Sequence, residues 1–585
     1  MAASGRTVHG RCRRYEINVT RSSVMAYGKW QPKKYGSTGR GHGQYGAPAV
    51  QSNVSTPIVE EVTHTLSTYQ QAILDWFKTE EGNGIIQAVA GSGKTSTLVM
   101  LAQEMQREKA SGVFLAFNKA IAEELKRKLP ANVVASTFHA LGRAAIVPLI
   151  EAKTGRKFGQ KDTDAYKVDG IFDALYGGDE GLRGGKSAVK KLVSLMKANV
   201  MMPDVSGEEL AGLMAHYDIE SDDDSISNDA VVMMARAVLT RNNDIVGCGG
   251  VIDFDDMLYF VPLLGARVGN KYGAPWQYVM VDESQDTNAV QRDILARLLR
   301  DGGRKGARLI AVGDEYQAIY GFRGADSNSM ALIRGTFDCV ELPLSISYRC
   351  AASVVKEAQQ YVPHIEAREG ATEGVVRGVS EWNVEEWRWS EGKDDLVVCR
   401  NNAPLLGVAY KCLRARVPVK VMGRDIGAGL KSLVRRVSGK GERGLAGFQR
   451  KLGEWSVGEI ARCMERKQEG KAASVADRVD CLLLLSDALI DEGKGSSVDE
   501  LTTLIDTMFP RSASEDGIKG RYLVCASVHK SKGLEARRVF VLDRRLMPSR
   551  WAKQEWEMVQ ERNLQYVAVT RAKEELVYVD SDSVE

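Results

Sequence analysis

Ala88-Val89-Ala90-Gly91-Ser92-Gly93-Lys94-Thr95 ends an apolar run, Gly84 to Ala90, and leads into a helical one, Ser96 to Gln106. A strand, a glycine-rich loop and a helix in that order form a phosphate cradle, because successive backbone N–H groups and the positive helix end converge on an anion. The reading places the phosphates against Ala90, Gly91, Ser92, Gly93, Lys94, Thr95 and Ser96, with Lys94 reaching the β and γ groups and Thr95 holding Mg²⁺. The first position of the loop is Ala rather than Gly. A second apolar run, Tyr278-Val279-Met280-Val281, ends in Asp282-Glu283. Two acids at the C-terminal edge of a buried strand divide the work: Asp282 holds Mg²⁺ and Glu283 polarises the attacking water. Together the two stretches predict hydrolysis of a nucleoside triphosphate. Such chemistry needs positive charge brought in at closure, so arginines from a distant part of the chain are expected in the site.

Outward from this core, the pattern alternates β-rich and helical runs. Gly112 to Phe117 and Arg308 to Val312 are further predicted strands, and the alternation implies a parallel sheet covered on both faces. From about 146 to 249 the texture is helical, with Val189, Leu192, Val193 and Met196 as an apolar stripe, which reads as an inserted subdomain. Strand patterns return at Leu396 to Cys399 and Val417 to Met422, give way to helix over 429–520, and resume at Tyr522 to Ala526 and Val539 to Leu542. The simplest topology is two α/β domains, each interrupted by a mainly helical insertion, over 61–145 with 250–335 and over 336–428 with 521–585.

The chain has 585 residues, enough for three to four domains of about 150 residues. Lys plus Arg (79) against Asp plus Glu (76) leaves a net charge of +3, so nucleic-acid affinity has to come from local patches. Nine scattered Cys without a CxxC pair exclude a stapled secreted scaffold and a zinc finger, and point to a reducing compartment. No apolar run approaches the length of a membrane span, and no apolar signal core follows the first basic residues, so secretion is not expected. Residues 1–60 form a basic tail; its first 50 hold nine Lys or Arg, one acid (Glu16) and five aromatics, and read as a solvated segment or as an arm that binds single strands. Arg424 to Lys451 carries eight bases against Asp425 and Glu442, a solvated face or a duplex contact.

The phosphate loop, Asp282-Glu283-Ser284-Gln285-Asp286-Thr287 and Thr570-Arg571-Ala572 together resemble the UvrD/Rep/PcrA group of superfamily 1 DNA helicases. Thr68-Tyr69-Gln70-Gln71 resembles the Q motif, with Gln70 where adenine is read. Phe114 to Ala120 and Thr137-Phe138-His139-Ala140 resemble the motifs that meet single-stranded DNA, in wording similar to the F-box DNA helicases, and imply contacts through Phe117, Asn118, Phe138 and His139. Gly313 to Gly324 resembles motif III: Gln317 would sense the γ phosphate, and Tyr320, Phe322 and Arg323 would face DNA. Leu342 to Arg349 resembles motif IV, with Ser347 where Asn is usual, Tyr348 stacking on adenine and Arg349 as one arginine finger. Ser527 to Glu535 resembles motif V, which puts His529 and Lys532 near DNA phosphate and Glu535 near the ribose. Gln560 to Ala572 resembles motif VI, with Arg571 as the second finger.

The resemblance implies two RecA-like P-loop domains that clasp ATP and Mg²⁺ at their seam, and a 3′ to 5′ motor on single-stranded DNA or single-strand/duplex junctions. It implies work in replication, repair or recombination, possible protein partners from those processes, a monomer or weakly self-associating state, no membrane, and a location in the cytoplasm, nucleoid or nucleus. Two alternatives stay open: a translocase that displaces proteins without efficient unwinding, and a nucleotide-gated DNA-binding scaffold. With 14 residues after Arg571, no fused nuclease is expected there.

Overall fold

The computed structural model describes residues 66–580, apart from 218, 220, 222, 224, 270–274, 301–305, 322–327, 381–394, 416, 418, 440–442, 466–468, 492–496 and 509–522. The basic tail, Phe322 and Arg323 therefore lie outside the described residues.

Six parallel strands make the first sheet: β1 (Asn83–Ala88), β2 (Gly112–Leu115), β3 (Val133–Ser136), β4 (Tyr278–Val281), β5 (Arg308–Gly313) and β6 (Cys339–Leu344), in the order β3-β2-β4-β5-β1-β6. The central strands are apolar nearly throughout because helices cover both faces; every residue of β2 is buried. Gly84 in β1 is required by packing, since a Cβ there would come within 2.3 Å of the Trp76 ring on the helix Thr68–Thr79. The second sheet is also parallel: β9 (Val375–Val379), β10 (Asp395–Cys399), β11 (Val419–Val421), β12 (Leu523–Ser527), β13 (Ala536–Leu542) and β14 (Ala572–Val579) run β11-β12-β10-β13-β14-β9. A two-stranded ladder, β7 (Ile346–Ser347) with β8 (Glu366–Ala367), lies where the chain passes from one sheet to the other.

Between β3 and β4 the chain is helical, and the stripe Val189, Leu192, Val193 and Met196 is fully buried in that insertion. Its helices are also joined by a buried ionic cluster: Lys167 pairs with Asp256 at 2.7 Å, and Lys197 with Asp253 at 2.6 Å and Asp256 at 2.9 Å. A second helical group, Arg424–Ser438, Leu445–Glu465, Glu469–Asp491 and Val498–Met508, separates β11 from β12 around Leu430, Phe448, Leu482 and Leu501. Within the basic segment, Lys431 pairs with Asp506, and Arg450 with Glu454 at 2.9 Å.

Several expected boundaries need correction. Residues 336–345 were expected to open the second domain, yet β6 pairs with β1 in the first sheet, Gly84 against Val340. Its Pro343 costs no ladder bond to a further strand because β6 is the sheet edge. The helices Phe138–Thr154 and Asp256–Leu263 both cross or lie beyond the limits expected for the first insertion, 146 and 249, and the first helix of the second insertion starts at Arg424. None of the described helices is long and apolar enough to cross a membrane.

Candidate active site in the cleft between the sheets

β1 ends at Ala88, and the 14-residue helix Lys94–Arg107 begins six residues later. The loop between them turns through two left-handed glycines, Gly91 (φ +73°) and Gly93 (φ +83°). Gly91 has a second constraint: a Cβ would lie 2.4 Å from the Arg349 Cβ on the other side of the cleft. The loop thus places the helix N-terminus, with its unpaired N–H groups and partial positive charge, at the mouth of the cleft. The Ser92 hydroxyl is buried and has no hydrogen-bond partner among the described residues. Thr95 Oγ1 donates to Asp282 Oδ2 at 3.0 Å, which brings two hard oxygen donors together at the helix start. A glycine cradle, an orphaned hydroxyl and an oxygen pair fit a phosphate chain with a small divalent cation.

The acids follow β4 directly. Asp282 is buried, and Glu283 takes a left-handed turn (φ +52°) that a non-glycine residue rarely adopts. Lys94 Nζ stands 3.8 Å from Glu283 Oε1. Burial pushes the Asp282 carboxyl up, and the neighbouring Glu283 charge adds to that. Burial would also raise Glu283, but Lys94, then Lys532, hold it below the usual carboxylate range. Glu283 is therefore ionised at neutral pH and able to orient a water by accepting its hydrogen bond. The Gln285 amide donates to Glu283 Oε2, while its Oε1 accepts the Asp314 N–H at 3.1 Å.

The opposite wall brings the arginines. Arg571 is 1% exposed; its Nη2 donates to Gln317 Oε1 at 3.4 Å, and its Nε and Nη1 donate to the Val567 and Leu534 carbonyls. Burial, with the Arg349 charge nearby, pulls its guanidinium down to about 10, still protonated at neutral pH. Arg349 Nε lies 2.6 Å from Glu535 Oε2, and Lys573 holds the other oxygen of Glu535 at 2.7 Å. The walls enclose about 570 Å³, lined by the loop residues Gly91 to Ser96, by Glu283 and Gln317, and from across the gap by Tyr348, Arg349, Glu535 and Arg571. Tyr348 is exposed, and its N–H donates to the Gly91 carbonyl at 2.9 Å. Gln70 sits on the helix Thr68–Thr79, where its amide donates to Thr97 Oγ1 at 3.2 Å and its Oε1 accepts the Ser67 N–H.

The residues expected to meet a strand divide. Phe117, 45% exposed, stacks parallel on Tyr320 with centroids 6.1 Å apart, and both line the cleft. Asn118 caps the helix Lys119–Lys128 by accepting the Ile121 N–H. Phe138 is 6% exposed and packs in the core with Leu141 and Ile146. His139 is half-buried, and burial lowers its imidazole pKa against the pull of Asp255, which favours the neutral ring. The His529 carbonyl accepts from the Tyr320 hydroxyl at 3.4 Å. Lys532 lines the cleft, where its ammonium donates to Asp286 Oδ2 at 2.6 Å and the Gln317 carbonyl at 2.7 Å, under the Tyr320 ring.

Two groups escaped the sequence reading. Asn563, on the helix Glu555–Val569, donates to the Glu315 and Ala318 carbonyls, and Tyr566 three residues later bonds the Ala90 N–H. Their three-residue spacing within Asn563-Leu564-Gln565-Tyr566 is the available signal, because it sets both on one helix face.

A family model described as the UvrD/REP helicase N-terminal domain matches residues 68–338, and one described as the UvrD-like helicase C-terminal domain matches 430–581. The chain belongs to the UvrD-like helicases. In this UvrD-like chain Lys94, Asp282 and Gln317 fall within the N-terminal match and Arg571 within the C-terminal one, while Arg349 lies between the two. The F-box DNA helicase protein 1 of Schizosaccharomyces pombe is 23% identical over 579 residues, covering 90% of this chain and 59% of that protein. The ATP-dependent DNA helicase Rep of Salmonella typhimurium is 25% identical, covering 56% of this chain and 64% of that protein. The ATP-dependent DNA helicase PcrA of Staphylococcus epidermidis is 25% identical over 49% of this chain and 39% of that protein. The chain thus spans about half the length of the curated relatives it matches.

Proposed function

We propose that the chain hydrolyses ATP in this cleft and uses the closure to move along single-stranded DNA, 3′ to 5′, opening duplex at junctions during replication, repair or recombination. The observation that carries the reading is that Arg571 and Lys94 approach one cleft from opposite walls, with Gln317 bonded to Arg571 and Glu283 beside Lys94. Lys94 and the loop N–H groups bind the β and γ phosphates, and Glu283, kept ionised by Lys94, orients the attacking water and accepts its proton. Thr95 and Asp282 would hold Mg²⁺, which supplies charge neutralisation on the phosphates. Arg349 and Arg571 neutralise the charge that builds on the transferring group, and Tyr348 with Gln70 and Glu535 bracket the nucleoside. Because the fingers come from the far wall, closure depends on the γ phosphate. It moves Phe117, beside the first sheet, relative to the elements that carry His529 and Lys532. Stacking on Phe117 and Tyr320 tolerates any base, so the motor is not sequence-specific.

The test is the ATPase rate of the full chain without nucleic acid and with single-stranded DNA, duplex DNA or RNA. Strong stimulation by single-stranded DNA, abolished by Lys94→Ala, is the expected result. A rate unmoved by every polymer, or a Lys94→Ala variant with near-normal turnover, refutes it.

A further inference from the structure

The helix Glu555–Val569 carries Tyr566 into the seam ahead of Arg571. Tyr566 is fully buried, and its ring meets Tyr316 edge-on with centroids 6.2 Å apart. Its hydroxyl accepts the Ala90 N–H of the phosphate loop at 2.8 Å and lies 3.4 Å from Asp314 Oδ2, to which it donates. Asp314, also fully buried, accepts the Gln317 amide on that same oxygen at 2.6 Å and the Tyr316 N–H on the other at 3.1 Å. Its own N–H goes to Gln285, the residue that holds Glu283. The free end of the Gln317 side chain accepts from Arg571. One continuous set of hydrogen bonds therefore joins the phosphate loop, the γ-phosphate sensor, the water-polarising acid and the arginine finger, with Tyr566 and Asp314 as its two branch points.

We propose that Tyr566 and Asp314 are positioning residues for phosphoryl transfer: the phenol fixes the loop to Asp314, and Asp314 aims Gln317 through its carboxylate and Glu283 through its backbone N–H. The inference rests on the ATP-hydrolysis reading and extends it to two residues that touch no substrate. A phenol is needed because it accepts and donates at once, whereas a phenyl ring fills the same space and leaves the Ala90 N–H and an Asp314 oxygen each short of a partner. Burial raises the Tyr566 phenol well above its ordinary value, so the group remains a donor at neutral pH. Since Tyr566 and Arg571 sit five residues apart at the end of one helix, the finger arrives together with the group that sets its targets.

The experiment measures kcat and KM for ATP at saturating single-stranded DNA for the full chain, Tyr566→Phe, Asp314→Asn and the double variant, with thermal unfolding of each. Expected are kcat losses of about 10- to 100-fold in each single variant with KM within about twofold, and a double variant no slower than the worse single one. A purely structural role would lower the melting temperature and leave kcat per folded molecule intact, and that result overturns the inference, as do losses that multiply in the double variant. If Tyr566→Phe folds poorly, the Asp314→Asn kcat and KM decide alone by the same criterion. Wild-type protein without DNA-stimulated turnover overturns the hydrolysis reading itself; normal wild-type turnover with an unaffected Tyr566→Phe overturns only this inference.

Discussion

In the proposed reading Lys94 has two partners to serve, Glu283 in the protein and a phosphate chain in the cleft, and the 3.8 Å gap to Glu283 leaves its ammonium able to turn to either. Arg571 is committed differently: buried, and held by two carbonyls and Gln317, it is aimed before any substrate enters. Arg571→Ala should therefore keep ATP binding, read by a fluorescent analogue, while turnover falls by about 10³ to 10⁵; equal losses in binding and turnover would deny it a finger's role. Arg571→Lys should restore little, since an ammonium cannot reproduce the fixed fork that spans Leu534, Val567 and Gln317. At this scale the sequence was informative where the chemistry is local. The loop and the Asp282-Glu283 pair each lie within a few residues, so strand, turn and helix signals frame them directly. The partners of Lys532 and Tyr566 were not legible, because they lie 246 and 476 residues away across the cleft. Phe138 is placed by its own helix: one turn before Leu141, it packs in the core.

At the scale of elements, the helix Glu555–Val569 docks on the turn Glu315–Gln317 through Asn563, on Gly321 through Gln560, and on the phosphate loop through Tyr566. The motif V segment adds Lys532, whose side chain is 9% exposed and whose partner Asp286 is 2% exposed. Lys532→Met leaves that carboxylate buried and alone, and should destabilise the closed seam by about 3–5 kcal/mol. Urea unfolding of the variant beside Lys532→Met with Asp286→Asn checks this, since the double change should recover part of the loss; no loss in the single variant would show that the pair is dispensable. Strand recognition at this scale followed composition. β2, β4 and β5 are apolar runs and stood out. β14 begins Ala572-Lys573-Glu574-Glu575, whose charges mask a strand that is continuously buried from Leu576 onward, and β6 carries a proline that argues against a strand anywhere but at an edge.

For the whole molecule, the two parallel sheets with a helical group inside each were expected from the alternation of patterns, whereas the cut between them was misplaced because register is a long-range property. The first insertion has its own internal tie, and Lys197→Met should cost about 3–5 kcal/mol by leaving Asp253 and Asp256 with a single lysine between them. Calorimetry would check it, and an unchanged unfolding profile would mean that hydrophobic packing alone fixes those helices. The place of β6 has a practical outcome of its own. Dividing the gene at the end of the N-terminal family match would remove the last strand of the first sheet and hand it to the wrong fragment. The shortened piece would present the bare N–H and C=O groups of β1 along its border and should cluster in solution, whereas one extended through Leu344 should stay dispersed.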